Sequence, residues 1–209
     1  MATAVPIDSS YDDTRLVRIV RALFALAIAE AVCVVIVSII THALSGVVEH
    51  ALTGVAVYVG AMFTIFFPGT VTRPRKIDGI AAAAGIGLGA TWVYVGLDAF
   101  VLQPLGVYTN RWHEIGGGSI WWYLPVWWMV GTYMPWMGGW ILANQANRSG
   151  RSSVIQGIVI VTVIAAIIGA LAALLHFPGA GWHVPTFAIA ILPALALTNF
   201  VTAMGRGRS

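Results

Sequence analysis

Long apolar runs separated by short polar segments dominate the chain. Each run is close to the roughly 20 residues that a helix needs to cross the hydrocarbon core of a bilayer. The connections between runs are short, so neighbouring helices are expected to be antiparallel. The second run is the shortest. The six predicted membrane spans are residues 16–41, 51–68, 79–103, 119–143, 153–175 and 184–204.

This pattern predicts an all-α polytopic membrane protein built as a bundle of six transmembrane helices. Residues 1–14 are polar and are predicted to form a cytoplasmic tail, and residues 15–209 a single transmembrane domain. The first apolar run exceeds the roughly 7–15 residues of a signal-peptide core, so we expect a retained helix. Only one cysteine, Cys33, is present, which excludes an internal disulfide.

Composition agrees with this class of protein. The 209 residues are 59% hydrophobic and 9% charged, with a mean hydropathy of +0.86, whereas soluble domains carry about 25% charged residues. The pI near 9.4 suggests a nucleic-acid partner only at first sight, because the basic residues cluster at the ends of apolar runs, where membrane topology requires them. The lipid bilayer is therefore the expected partner, and nucleic acid is not.

The charge pattern also predicts orientation. With the N-terminus inside, ten of the eleven basic residues fall on the cytoplasmic side and only Arg111 falls outside, as the positive-inside rule requires. Both termini are then cytoplasmic, at the inner or plasma membrane if the cell is bacterial. The ten are Arg15, Arg18, Arg21, Arg73, Arg75, Lys76, Arg148, Arg151, Arg206 and Arg208.

The fourth span, within Ser119–Gln145, has no charge and contains six of the nine tryptophans. Tryptophans near span ends fit an interfacial aromatic belt, but Trp127, Trp128 and Trp136 lie deeper. A deep aromatic face beside two prolines fits a flat apolar ligand such as a quinone or pigment, or a helix of another subunit. The sequence leaves both interpretations open.

Two polar features lie inside other spans. Glu30 falls near the bilayer midplane, where a neutral carboxyl is the physical default, either as a proton carrier or as a hydrogen-bonded link between helices. In the third span, Thr91, Tyr94 and Asp98 share one face with Gly87. This stripe is expected to face the bundle interior, as part of a proton or ion path or as a buried network that fixes helix register.

All five histidines fall on the predicted outer side. Imidazole and carboxylate groups from several outer loops would suit copper or zinc, and a histidine pair would suit haem. The alternative is that histidine is simply tolerated at interfaces, and no tight ligand spacing favours a metal. The candidate ligands are His42, His50, His113, Glu114, His176 and His183.

Small residues recur every four positions in the third span, at Ala81, Gly85 and Gly89 and again at Ala83 and Gly87. Such spacing lets helix backbones approach closely in a membrane. The fifth span is uncharged and rich in Val and Ile, so it is expected to face lipid.

Three classes of function remain. Cytoplasmic loops of about ten residues are too short for a catalytic domain, the GIGLGA segment lies inside a span rather than between strand and helix, and no GxSxG elbow is present. We favour an integral, non-catalytic subunit of a larger respiratory, photosynthetic or membrane-oxidase complex, packing on other membrane subunits or on copies of itself. The alternatives are a small proton- or ion-coupled channel or transporter using Glu30 and Asp98, and a membrane metal or haem protein with an outer histidine site.

Overall fold

The computed structural model describes residues 9–107 and 120–204, and these residues form helices with no strand among them. The all-α prediction is confirmed. Each predicted span overlaps one of the helices. These are α1 (Ser9–Ala43), α2 (Gly46–Thr72), α3 (Ile77–Leu97), α4 (Ile120–Ser149), α5 (Val154–Leu174) and α6 (Val184–Met204).

The observed bounds differ from the predicted ones in three places. α1 begins at Ser9, within the stretch predicted as a polar tail. α2 has 27 residues, so it is not the shortest helix, because the helix continues over polar residues at both ends of its apolar run. α3 continues directly into a π-helical segment, Asp98–Leu102, rather than remaining α-helical to residue 103.

Five helices, α1, α2, α3 with its π-helical extension, α5 and α6, are long and apolar enough to cross a membrane. These helices fit an integral membrane protein. α4 is 30 residues long, about 45 Å at 1.5 Å per residue. Its tryptophans, glycines, prolines and tyrosines make it less apolar than the membrane-crossing stretches of the other five helices.

α4 packs against α2, α3 and α6 and forms the centre of the fold. Towards α3, Gly131, Pro135 and Gly139 recur every four residues on one face, and they meet Thr91, Gly87 and Ala83. Towards α2, a Cβ atom at Gly138 would lie 1.9 Å from the carbonyl oxygen of Ile65. The absence of side chains at the four glycines, Gly87, Gly131, Gly138 and Gly139, is what lets the backbones approach so closely.

The two small-residue repeats of α3 have different surroundings. Ala83 and Gly87 form the contact with α4, whereas Gly89 meets the Leu23 side chain of α1. Gly85 faces open space, because no atom lies within 4 Å of the point that a Cβ atom would occupy there. Only part of the predicted small-residue pattern is therefore used inside the chain.

α5 lies at the edge of the bundle. Its buried residues recur every four positions and form a narrow strip, while the other residues are exposed or partly buried and mostly apolar; lipid contact of this helix stays a prediction. The strip consists of Gly157, Val161, Ala165, Gly169 and Ala173.

The basic residues of three chain segments meet at one end of the bundle. Arg18 and Arg21 near the start of α1 share a groove with Arg73 at the end of α2. The side-chain amide of Asn147, near the end of α4, donates a hydrogen bond to the backbone oxygen of Arg75 at 3.1 Å. Positive charge is thus concentrated on one side of the molecule.

Candidate functional site: an aromatic surface on α3 and α4

Four tryptophans form two stacked pairs along the boundary between α3 and α4. Trp92 of α3 stacks on Trp128 of α4, with ring centroids 4.7 Å apart and an interplanar angle of 22°. Trp136 stacks on Trp140 within α4, at 6.2 Å and 21°. Positions 128, 132, 136 and 140 lie on one face of α4 because they are spaced by four residues. We call these four tryptophans the aromatic surface.

The aromatic surface is exposed. The exposed fractions are 56% for Trp92, 40% for Trp136 and 36% for Trp140. Trp136 lies about 24 Å along α4 from Ile120 and about 20 Å from Ser149, at 1.5 Å per residue. It is therefore far from both ends of the helix, although exposed tryptophans of membrane proteins concentrate at the interfaces.

The three deep tryptophans predicted from the sequence have different environments. Trp127 is half-buried and packs on Tyr94 of α3, with centroids 6.0 Å apart and a tilt of 51°. Trp128 is half-buried beneath Trp92, and only Trp136 is exposed. Trp92 was not predicted to belong to this surface, because its position in the sequence does not show that α4 lies beside it.

Glu30 joins α1 to α2. The Thr64 hydroxyl of α2 donates a hydrogen bond to Glu30 Oε1 at 3.2 Å. One turn along α1, Cys33 Sγ lies 3.5 Å from the carbonyl oxygen of Ala56, and the missing side chain of Gly60 makes room for the thiol. These contacts are those of a polar link between two helices, which is one of the two roles predicted for Glu30.

Replacing Thr64 with valine is expected to destabilise the protein by about 1 kcal/mol, because the near-isosteric change removes a hydrogen bond between helices and leaves the Glu30 carboxyl without that donor. Thr70→Val is the matched control, since the exposed Thr70 hydroxyl bonds the Phe67 oxygen of its own helix. Unfolding in mixed detergent micelles measures both variants. Equal stability losses would exclude a special role for the Glu30–Thr64 bond.

The predicted polar stripe of α3 lies mostly in the contact with α4. Gly87, Thr91 and Tyr94 are buried, and the Thr91 hydroxyl bonds the Gly87 carbonyl oxygen of its own helix at 2.9 Å. Asp98 caps the end of α3, where its Oδ2 accepts a hydrogen bond from Gln103 Nε2 at 2.8 Å. This arrangement favours the helix-packing interpretation of the stripe over a solute path.

The described histidines lie at the end of the bundle opposite the basic residues, and three of them have local partners. Nδ1 of His42 lies 2.8 Å from the Ser38 carbonyl oxygen, and Nδ1 of His50 lies 2.7 Å from that of Gly46. Nδ1 of His183 lies 3.1 Å from the Thr186 hydroxyl.

His176 follows α5 and has a positive φ of 52°. His113 and Glu114 lie outside the described residues, as does Trp112. Across 9–107 and 120–204, no group of three or more His, Cys, Asp or Glu side chains is arranged to hold a metal ion. Copper, zinc and haem ligation therefore stay sequence-based hypotheses.

A buried amide cluster between α4 and α6 was missed by sequence reasoning. Asn199 Nδ2 donates to the Met137 carbonyl oxygen at 3.1 Å, and Asn144 Nδ2 donates to the Thr202 hydroxyl at 3.1 Å. Both asparagines are buried. Neighbouring Gln145 accepts a hydrogen bond from the Ser153 amide at 2.9 Å and so fixes the turn into α5. The cluster ties the carboxyl-terminal halves of α4 and α6 together.

Comparison with protein-family models, with curated proteins and with solved structures finds no match for the chain. Function therefore has to be argued from the surfaces and sites themselves.

Proposed function

We propose that this chain is an integral, non-catalytic subunit of a larger membrane complex and that it packs on a partner helix through the aromatic surface. The observation that carries the proposal is the exposure of two tryptophans, Trp92 and Trp136, the second of which lies far from both ends of the 30-residue α4. Lipid tails gain little from an indole ring at such a depth, whereas a packed helix gains dispersion contacts with the whole ring face.

The surface beside the tryptophans also suits a close-packing helix. Gly85 and Ala81 of α3 are exposed. They lie one and two turns from Leu88 in the direction of the basic end of the bundle, and Gly85 has open space where a side chain would project. Leu88 itself is 38% exposed. These positions share the exposed side of α3 with Trp92 because they are spaced by three and four residues. Small residues beside large rings let a second helix approach closely, as in helix–helix packing in membranes.

In the proposed arrangement all six helices cross the membrane, with both termini on the cytoplasmic side. The concentration of basic residues at one end of the bundle supports this orientation through the positive-inside rule. α4 is able to cross as a less apolar helix because α2, α3 and α6 surround most of it, so only its tryptophan face has to meet lipid or a partner.

A flat apolar ligand, such as a quinone or pigment, is the alternative occupant of the same surface. Each of these rings already stacks on another tryptophan, however, and Trp92 and Trp136 lie exposed on the surface rather than enclosed. A partner helix is the better fit because it needs a surface rather than a cleft.

Photocrosslinking tests the proposal directly. A photoreactive phenylalanine analogue at position 136 is expected to crosslink to a second polypeptide in native membranes. The same analogue at Ile167, which is 54% exposed on α5, is expected to yield lipid adducts alone. Lipid adducts alone at both positions would contradict a protein partner, and a crosslinked small aromatic molecule at position 136 would favour the ligand.

A further inference from the structure

A groove of about 340 Å³ opens at the basic end of the bundle, between α1 and α2. Three arginines line it: Arg18 and Arg21 from α1, and Arg73 from the end of α2. All three are exposed, and the remaining lining residues are apolar or neutral, so no carboxylate among the described side chains lines the groove. None of the four tryptophans of the aromatic surface lines it.

The floor of the groove is apolar. Ala22 and Ala25 of α1 face Phe67 and Val71 of α2 across it. Phe67 stacks on Phe63, one turn further from the basic end, with ring centroids 4.7 Å apart, and Phe63 is 41% exposed. A continuous aromatic track therefore leads from the arginines along the outside of α2.

The positive-inside rule explains why arginines occur at this end of the molecule. It does not require arginines of two different helices to share one groove, and the remaining described basic side chains, among them Arg75, Lys76, Arg148 and Arg151, do not line it. The combination of clustered guanidinium groups with an apolar floor matches one chemical class of ligand, which carries a phosphate anion at one end and hydrocarbon at the other.

We propose that this groove binds an anionic phospholipid. The phosphate lies among the three guanidinium groups, which form paired hydrogen bonds with phosphate oxygens. One acyl chain follows Phe67 and Phe63. Basic pockets between transmembrane helices recognise anionic headgroups in this way, and the site is independent of whether the aromatic surface binds a partner.

Arg73 has a particular role in the site. It ends α2 with a left-handed backbone, at φ 45° and ψ 59°, and its amide bonds the Gly69 carbonyl oxygen at 2.9 Å. This backbone conformation is uncommon for a residue with a Cβ atom, and asparagine adopts it more readily than most. Arg73→Asn therefore removes the charge while preserving the helix end, which makes it the cleanest single test of this arginine.

Native mass spectrometry of the delipidated full-length chain tests the proposal by titration with phosphatidylglycerol or phosphatidylcholine. The wild type is expected to retain phosphatidylglycerol over phosphatidylcholine. Arg18→Gln combined with Arg21→Gln is expected to weaken phosphatidylglycerol binding roughly twenty-five-fold, at about fivefold per arginine, and Arg73→Asn about fivefold. Arg148→Gln combined with Arg151→Gln removes the same charge outside the groove and is expected to leave binding unchanged.

Three results would overturn the proposal. They are equal retention of both lipids, an equal loss in the two double variants, and full displacement of phosphatidylglycerol by inorganic phosphate, which would make the groove a phosphate site without a lipid. Far-UV circular dichroism of every variant shows whether the helices are intact. If the double variant does not fold, Arg73→Asn provides an independent test of the groove.

Discussion

Replacing Gly87 with alanine is expected to destabilise the protein by about 2 kcal/mol or more. The new methyl group would lie 2.3 Å from the Gly131 carbonyl oxygen and 2.4 Å from Cγ of Pro135. A backbone oxygen and a proline ring are unable to rotate away, so α3 and α4 have to separate. Overpacking of this kind costs about 1–3 kcal/mol or more, which exceeds the gain of up to about 1 kcal/mol in helix propensity when alanine replaces glycine.

Gly85→Ala is the matched control, because it is the same substitution half a helical turn away. Nothing lies within 4 Å of its new methyl group, so we expect unchanged stability or a gain of up to about 1 kcal/mol. Unfolding of both variants, followed by circular dichroism during titration from mild detergent into dodecyl sulfate, gives the comparison. Similar changes in the two variants would show that α3 and α4 do not meet at Gly87.

The second large effect is expected at the aromatic surface. Trp136→Ala is expected to weaken binding of the partner subunit roughly thirtyfold, since buried tryptophans at interfaces contribute about 2 kcal/mol or more. Trp92→Ala is expected to weaken binding similarly and also to cost about 1 kcal/mol of stability through loss of its stack on Trp128.

Trp182→Ala provides the control for this pair. Trp182 is 69% exposed in the α5–α6 connection, away from the aromatic surface, and its removal is expected to leave partner binding unchanged. The fraction of partner that co-elutes with each variant measures the effect. Equal partner retention in all three variants would exclude the aromatic surface as the binding face.

Much of the secondary structure could be predicted from the sequence because membrane helices depend on local composition. Six runs of sufficient length correspond to six helices, and most sequence neighbours pack on each other, but α4 packs on α2, α3 and α6 and hardly contacts α5. The ends were less predictable. α2 extends past its apolar run at both ends, because backbone hydrogen bonding continues after hydropathy has fallen.

The position of α4 at the centre was not predictable from hydropathy, since its span is less apolar than those of the other five helices. Its glycines explain the position afterwards: Gly131 and Gly138 allow close contacts with α3 and α2 that a side chain would block. Which glycine meets which neighbour depends on how the helices are rotated. That rotation is a property of the whole bundle, and a single span does not encode it.

The candidate sites likewise combine residues that the sequence singles out with partners that only the packing of the helices brings to them. Glu30 was singled out from its depth alone, but its partner Thr64 lies on another helix, and no sequence pattern connects the two. Trp92 belongs to the aromatic surface only because α4 brings Trp128 against it. Asn144 and Asn199 attract no attention in the sequence and become a buried cluster only through the packing of α4 on α6.

The mass of the native particle tests the subunit account most directly. The chain, extracted from its own membrane in a mild detergent and measured by native mass spectrometry, is expected to carry a second kind of polypeptide in fixed ratio to its own 22.2 kDa. That polypeptide is expected to be lost from Trp136→Ala and retained by Trp182→Ala. A monodisperse particle containing only this chain and lipid would contradict the account.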